Sequence, residues 1–167
     1  MTEFDWTSFP ARIWIKSTST EVYRHWATAE GLETWFPAKA SFVSPSGITR
    51  SEDEFAQTGD RWEFEWFGGD AGTGTVEEAV LGQSFALTFA GLVLMEVTND
   101  PDRTLISLRH ARIPATESAR IQVHLKCRLS WCFYLNNLKA VLEHGIDLRE
   151  KDPLRLRDPL TNGVVNY

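Results

Sequence analysis

The chain has 167 residues, of which 43% are hydrophobic and 24% charged, with a formal net charge of −6. That length makes one ordinary domain, and that balance excludes a disordered or collagen-like chain. The negative sum argues against nucleic acid or an anionic membrane as the default partner.

Arg12 to Lys16 is a short β-branched and aromatic run, read as a first strand. Thr18 with Glu21 forms a capping-box pattern for a helix through Val22, Tyr23 and Trp26. A second short helix, Glu30 to Phe36, is ended by Pro37. Ala40 to Val43 is weakly strand-like, and Ser44 to Gly59, with Pro45, Gly47 and several acidic residues, reads as a long loop.

From Asp60 the hydrophobic period becomes two. Trp62, Phe64 and Trp66 alternate with Glu63, Glu65 and Phe67, and Gly68-Gly69-Asp70 is a hairpin signal. Thr73 to Val80, then Phe85, Leu87 and Phe89 with their neighbours, then Leu92 to Thr98 and Thr104 to Ile113 follow as strands. Turns of two to four residues between them predict an antiparallel meander. After Pro114 the period is 3.6: Glu117 to His144 reads as one long helix closed by Gly145. Its apolar stripe is Trp131, Leu135, Leu138 and Leu142. Residues 1–148 are therefore expected to form one domain, and 149–167, with Pro153, Pro159 and alternating Arg and Asp, an extended tail.

No apolar run approaches the roughly 18 residues of a membrane-spanning helix. Met1 to Pro10 carries Glu3 and Asp5 and lacks the pattern of a secretory leader. Cys127 and Cys132 fit neither a disulfide framework nor a zinc pattern, so free thiols and a cytoplasmic setting are expected. No metal, nucleotide or other cofactor is implied, because clustered ligands and phosphate-binding glycines are missing.

The order is strand, two short helices, antiparallel strands and a long closing helix. A straight helix across a twisted sheet leaves a gap, and that gap is a candidate pocket. Glu30-Gly31-Leu32-Glu33-Thr34-Trp35-Phe36, and the closing helix from Trp131 through Leu135, Leu138 and Leu142 to Gly145, carry a resemblance. They resemble the helix-grip (START-like, SRPBCC) superfamily, and within it proteins similar to the activator of heat-shock protein 90 ATPase. The resemblance spans about Phe9 to Leu148, and Thr58-Gly59-Asp60 stands where the family carries a pair of glycines. It implies an α+β fold in which a curved antiparallel sheet wraps around the C-terminal helix.

The aromatic strand has two readings: a core, since large rings supply much of the buried area of small domains, or the wall of a ligand cavity. On the second, the lining residues are Trp62, Phe64, Trp66, Phe85, Leu87, Phe89, Met95 and Leu108 from the sheet. Trp131, Tyr134 and Leu138 join them from the helix. His110, on the side of Ile106 and Leu108, and Tyr134 are the polar groups able to orient a guest. The alternative for His110 is a core histidine bonded to a neighbour. His25, His124 and His144 are expected to be solvated. Glu63 and Glu65 belong to the outer face with Arg61 and Glu78 unless the strand is turned over, in which case they would line the cavity.

Three functions stay open. The first is binding of a small apolar or aromatic molecule without chemistry. The second is an interaction role, through a homodimer or a chaperone contact. The third is a cyclase- or hydrolase-like enzyme using a cavity His or Glu, although no catalytic motif calls for one. Nucleic acid and membrane insertion are not expected.

Overall fold

The structure, a computed structural model, describes residues 4–157. Its strands are β1 (Phe9–Ile15), β2 (Lys39–Val43), β3 (Arg61–Glu65), β4 (Ala71–Val80), β5 (Ser84–Thr88), β6 (Leu92–Asp100) and β7 (Arg103–Ala111). They form a seven-stranded antiparallel sheet in the order β1-β7-β6-β5-β4-β3-β2. Strands β3 to β7 are the expected meander, and β2, the weakly strand-like segment, adds to its edge beside β3. The first strand instead pairs with the last, Ile13 opposite Ile106, which local periodicity does not specify.

Helices α1 (Ser19–Ala27) and α2 (Ala29–Glu33) follow β1. The Thr18 hydroxyl accepts from the Glu21 amide at 3.2 Å, the predicted cap. Thr28 closes α1 and opens α2, accepting from the Gly31 amide at 3.0 Å. Gly31 lets the two helices touch, because a Cβ there would lie 2.5 Å from the Arg24 carbonyl. The second helix is shorter than the sequence suggests, since Thr34 already caps it. Trp35 and Phe36 leave it to turn into the core.

The closing helix runs from Glu117 to His144 but is not uniform. It begins as α3 (Glu117–Ala119), widens to a π-helical stretch over Arg120–Leu125 and continues as α4 (Lys126–His144). Gly145 ends it in the left-handed conformation, φ +67°. The α4 rod lies along β1, tied by Lys139 Nζ donating to the Trp14 carbonyl at 2.6 Å. Trp131, Leu135 and Leu138 of the expected stripe are buried, and Leu142 is half-buried.

The long loop is pinned rather than free. The Arg50 guanidinium pairs with the fully buried Asp60 and with Glu54, and Ala56 N donates to the Ala27 carbonyl at 2.7 Å. The segment expected as an extended tail begins with a docked stretch. Arg149 is buried, and Arg155–Arg157 forms a single 3₁₀ turn carrying buried Leu156. The rest of that predicted tail, 158–167, lies outside the described residues. No helix among the described residues is long and apolar enough to cross a membrane.

Candidate functional site

The register of β3 decides the character of the interior. Trp62 and Phe64 are buried, and the alternating Arg61, Glu63 and Glu65 are exposed, with Arg61 bonded to Glu63 at 2.7 Å. The aromatic side faces inward and the carboxylates face out. Opposite Trp62 and Phe64 on β4 stand Gly74 and Gly72. A Cβ on Gly74 would come within 2.5 Å of Trp62 Nε1, so the missing side chain is what lets the indole lie on the strand.

Around this strand the expected lining residues come together. Phe85, Leu87, Met95, Leu108, His110, Trp131, Tyr134 and Leu138 are all buried. Trp66 and Phe89 lie just past the ends of β3 and β5 and are half-buried, so they stand at the mouth of the cluster. The rings pack directly: Trp62 stacks on Phe64 at 4.5 Å, and Phe89 lies 5.8 Å from Trp66 and 6.4 Å from Trp131.

The centre of the cluster is Phe36, which the sequence marks only as the end of a short helix. It stacks on Trp131 at 5.2 Å, meets Tyr134 edge-on at 4.8 Å, and also touches Phe64, Trp66 and Phe89. Its signal was the Trp-Phe pair before Pro37, where the helix must stop and release its last apolar residues.

The polar groups in this interior are few. His110 is fully buried; its Nδ1 accepts from Trp131 Nε1 at 3.3 Å, which leaves Nε2 to donate to the Ala90 carbonyl at 3.3 Å. Both ring nitrogens are thereby satisfied, and burial holds its pKa below the ordinary value of 6.5. The Tyr134 hydroxyl has no hydrogen-bond partner among the described residues. Burial pushes its pKa up to about 12, with Asp147 adding to the rise and Arg149 opposing it. It is therefore a neutral donor beside an aromatic surface.

Two other histidines depart from expectation. His124, expected in solvent, is fully buried: its Nδ1 donates to the Trp6 carbonyl at 3.0 Å, and Phe4, Trp6 and Phe9 surround the ring. The N-terminal segment folds over that face of the helix, which helical periodicity alone does not reveal. His25 is half-buried, its Nδ1 donating to the Glu21 carbonyl at 2.9 Å. His144 is exposed, as expected.

Cys127 is buried and Cys132 exposed, both free, and burial pushes the Cys127 thiol up to about 11. Among the described residues no group of three or more His, Cys, Asp or Glu side chains is placed to hold a metal ion.

A groove of about 360 Å³ opens over Trp62, between Gly72 and Thr73 of β4 and the stretch Thr88 to Gly91 that joins β5 to β6. It brings solvent against the edge of the aromatic cluster.

Seven antiparallel strands gripping one long helix, over an aromatic interior, define the helix-grip α+β fold. Solved proteins share it. A protein from Staphylococcus saprophyticus superposes with a TM-score of 0.68 at 14% identity, covering 85% of this chain and 96% of that one. The Aha1 dimer from Colwellia psychrerythraea gives a TM-score of 0.64 at 18% identity, covering 83% and 97%. A protein of the dynemicin biosynthetic locus gives 0.64 at 15% identity, covering 87% of this chain and 50% of that one. No protein-family model and no curated sequence matches the chain, so the likeness is one of fold.

Proposed function

We propose that the protein binds a compact apolar or aromatic small molecule between its sheet and its C-terminal helix. The observation that carries this reading is the half-buried pair Trp66 and Phe89 at the rim of the buried cluster, beside a groove whose floor is the Trp62 indole. Half-exposed rings that continue into buried ones offer a guest more apolar surface than a closed core does. Tyr134 is the orienting donor: its hydroxyl is neutral at all ordinary pH and free to bond a guest. His110 has less to offer, because both nitrogens are already engaged. The dynemicin-locus protein is consistent with a small-molecule setting for the fold.

The experiment is a titration with N-phenyl-naphthylamine, a neutral aromatic probe that brightens in apolar sites. Saturable binding is expected, with a rise in thermal stability by mass action. Trp62→Ala should weaken it. Binding that does not saturate, or that Trp62→Ala leaves unchanged, rejects the reading.

A second reading, self-association, is favoured by Ile121, Leu125 and Leu129, spaced four apart on the outside of the closing helix and 53%, 44% and 59% exposed. Sedimentation of the wild type and of Leu129→Glu distinguishes a dimer built on this row from a monomer.

A further inference from the structure

The sheet has a split. Strand β4 pairs with β3 through its first five residues, Ala71 to Thr75, and with β5 from Val76 onward. The early part of β4 and the turn after β5 therefore diverge, and the groove lies between them. The gap is spanned by side chains instead of a ladder: Trp62 Nε1 donates to the Thr88 carbonyl at 3.0 Å, and the Thr88 hydroxyl accepts from the Thr75 amide at 2.8 Å where Gly74 and Thr88 come together. Gly72 and Gly74 leave that indole uncovered from the β4 side.

The far lip of the split is held from inside the protein. Ala90 has φ +46° and Gly91 φ +132°. An alanine in the left-handed region is uncommon and persists only where its surroundings impose it. Two bonds hold it: the Phe89 amide donates across the turn to the Gly91 carbonyl at 3.0 Å, and His110 Nε2 reaches the Ala90 carbonyl, while Trp131 of α4 fixes the tautomer from the other side. Gly91 is required beneath, since a Cβ there would stand 2.4 Å from the Ala111 carbonyl. One imidazole thus links the gripped helix to the lip of the groove.

We propose that this split is the port by which a small molecule reaches the aromatic interior, and that His110, set by Trp131, is the latch on its lip. The proposal rests on the small-molecule reading and adds a route and a positioning residue to it. Opening breaks the Trp62–Thr88, Thr75–Thr88 and His110–Ala90 bonds and releases Ala90 from an unfavourable conformation, which offsets part of the cost. Entry elsewhere along β5-β6-β7-β1 must break a continuous ladder.

The test is stopped-flow binding of N-phenyl-naphthylamine to the wild type, to Trp131→Phe and to Trp62→Phe. Each substitution keeps a ring and removes one hydrogen bond of the latch. The association rate should rise by about fivefold, the rate equivalent of one hydrogen bond's net contribution. The dissociation rate should rise as well, and further in Trp62→Phe, which also loses part of its contact with the guest; loss of guest contact alone would raise the dissociation rate only. Leu135→Ala, which loosens α4 away from the lip, should lower thermal stability and leave both rates as in the wild type. In the wild type itself, the Phe89 and Gly91 amides should exchange with deuterium faster than Leu87 and Val93 on the neighbouring ladder. Unchanged association rates in both ring variants, or equal exchange at lip and ladder, overturn the port and leave the binding reading standing. No saturable binding by the wild type overturns both.

Discussion

Asn137 and Trp35 join the two ends of the grip: the Asn137 amide on α4 donates to the Trp35 carbonyl at 2.8 Å, with both residues fully buried. The same amide group donates to Asp147 at 3.1 Å, and its carbonyl accepts from the Leu148 amide at 2.7 Å. One polar side chain on an otherwise apolar helix face thus fixes where α2 ends and where the chain turns after α4. Replacing Asn137 by Leu should orphan the Trp35 carbonyl and destabilise the fold by about 1–3 kcal/mol, the usual cost of an unsatisfied buried group. Urea unfolding reads it. A loss within the surface range of about 0.5 kcal/mol would show that the tie contributes nothing.

Leu138, one residue on, is fully buried against the sheet. Leu138→Ala is expected to cost about 2–5 kcal/mol through lost transfer energy and the cavity left behind. Leu129→Ala on the same helix, 59% exposed, should stay within about 0.5 kcal/mol. The contrast between the two, measured by chemical denaturation, checks which side of the helix is gripped.

The sequence is most legible where periodicity is regular. Trp62 and Phe64 alternate with Glu63 and Glu65, so the two faces of β3 were readable, while alternation alone left open which one turns inward, and the capping threonine at position 18 acts as its spacing predicts. What escaped were contacts between segments far apart in the chain. Nothing local to Phe9–Ile15 says that it pairs with β7, and nothing local to His124 says that Phe4, Trp6 and Phe9 enclose it. Phe36 was missed as the hub of the cluster for the same reason: its partners come from β3, the turn after β5 and α4. The π-helical stretch at Arg120–Leu125 has no Pro or Gly to announce it.

The buried imidazole of His110 makes stability depend on pH. Burial holds its pKa below 6.5, so the unfolded chain takes up a proton at a pH where the folded one does not. Stability should be level above about pH 6.5 and fall with pH through the folded-state value. His110→Phe should remove this component of the slope in denaturation curves recorded between about pH 7.5 and pH 5, above the carboxylate range. An unchanged slope would assign the effect to another group.

Arg149 and Asp147 close the lower end of the grip. The guanidinium donates to Asp147 through Nε at 2.9 Å and through a terminal nitrogen at 2.7 Å, and to the Pro37 and Glu33 carbonyls at 2.6 and 2.7 Å. It also lies 5.2 Å from the centre of the Phe67 ring. Burial alone would raise the Asp147 pKa, but the bonds from Arg149 and Lys151 win, and the carboxyl is held well below its usual 3.8. That depression stabilises the fold above pH 3.8 and is lost as pH falls through the folded-state value. Arg149→Met should be destabilising, because it strands the Pro37 and Glu33 carbonyls and takes from Asp147 its buried partner, leaving Lys151 and Asn137 to hold the carboxylate; breaking a buried pair costs about 3–5 kcal/mol. Asp147 keeps some exposure, with 19% of its side chain open to water, which puts the expected loss at the low end, about 3 kcal/mol. Asp147→Asn should cost less at neutral pH, since the amide oxygen still accepts one guanidinium bond, and should flatten the acid limb of the stability curve. If the pair acts as a unit, Arg149→Met combined with Asp147→Leu will cost less than the sum of the single changes, since either single change already removes the bonds the two side chains share. Strict additivity in that double-mutant cycle would mean that Arg149 acts through Pro37, Glu33 and Phe67 instead of through Asp147.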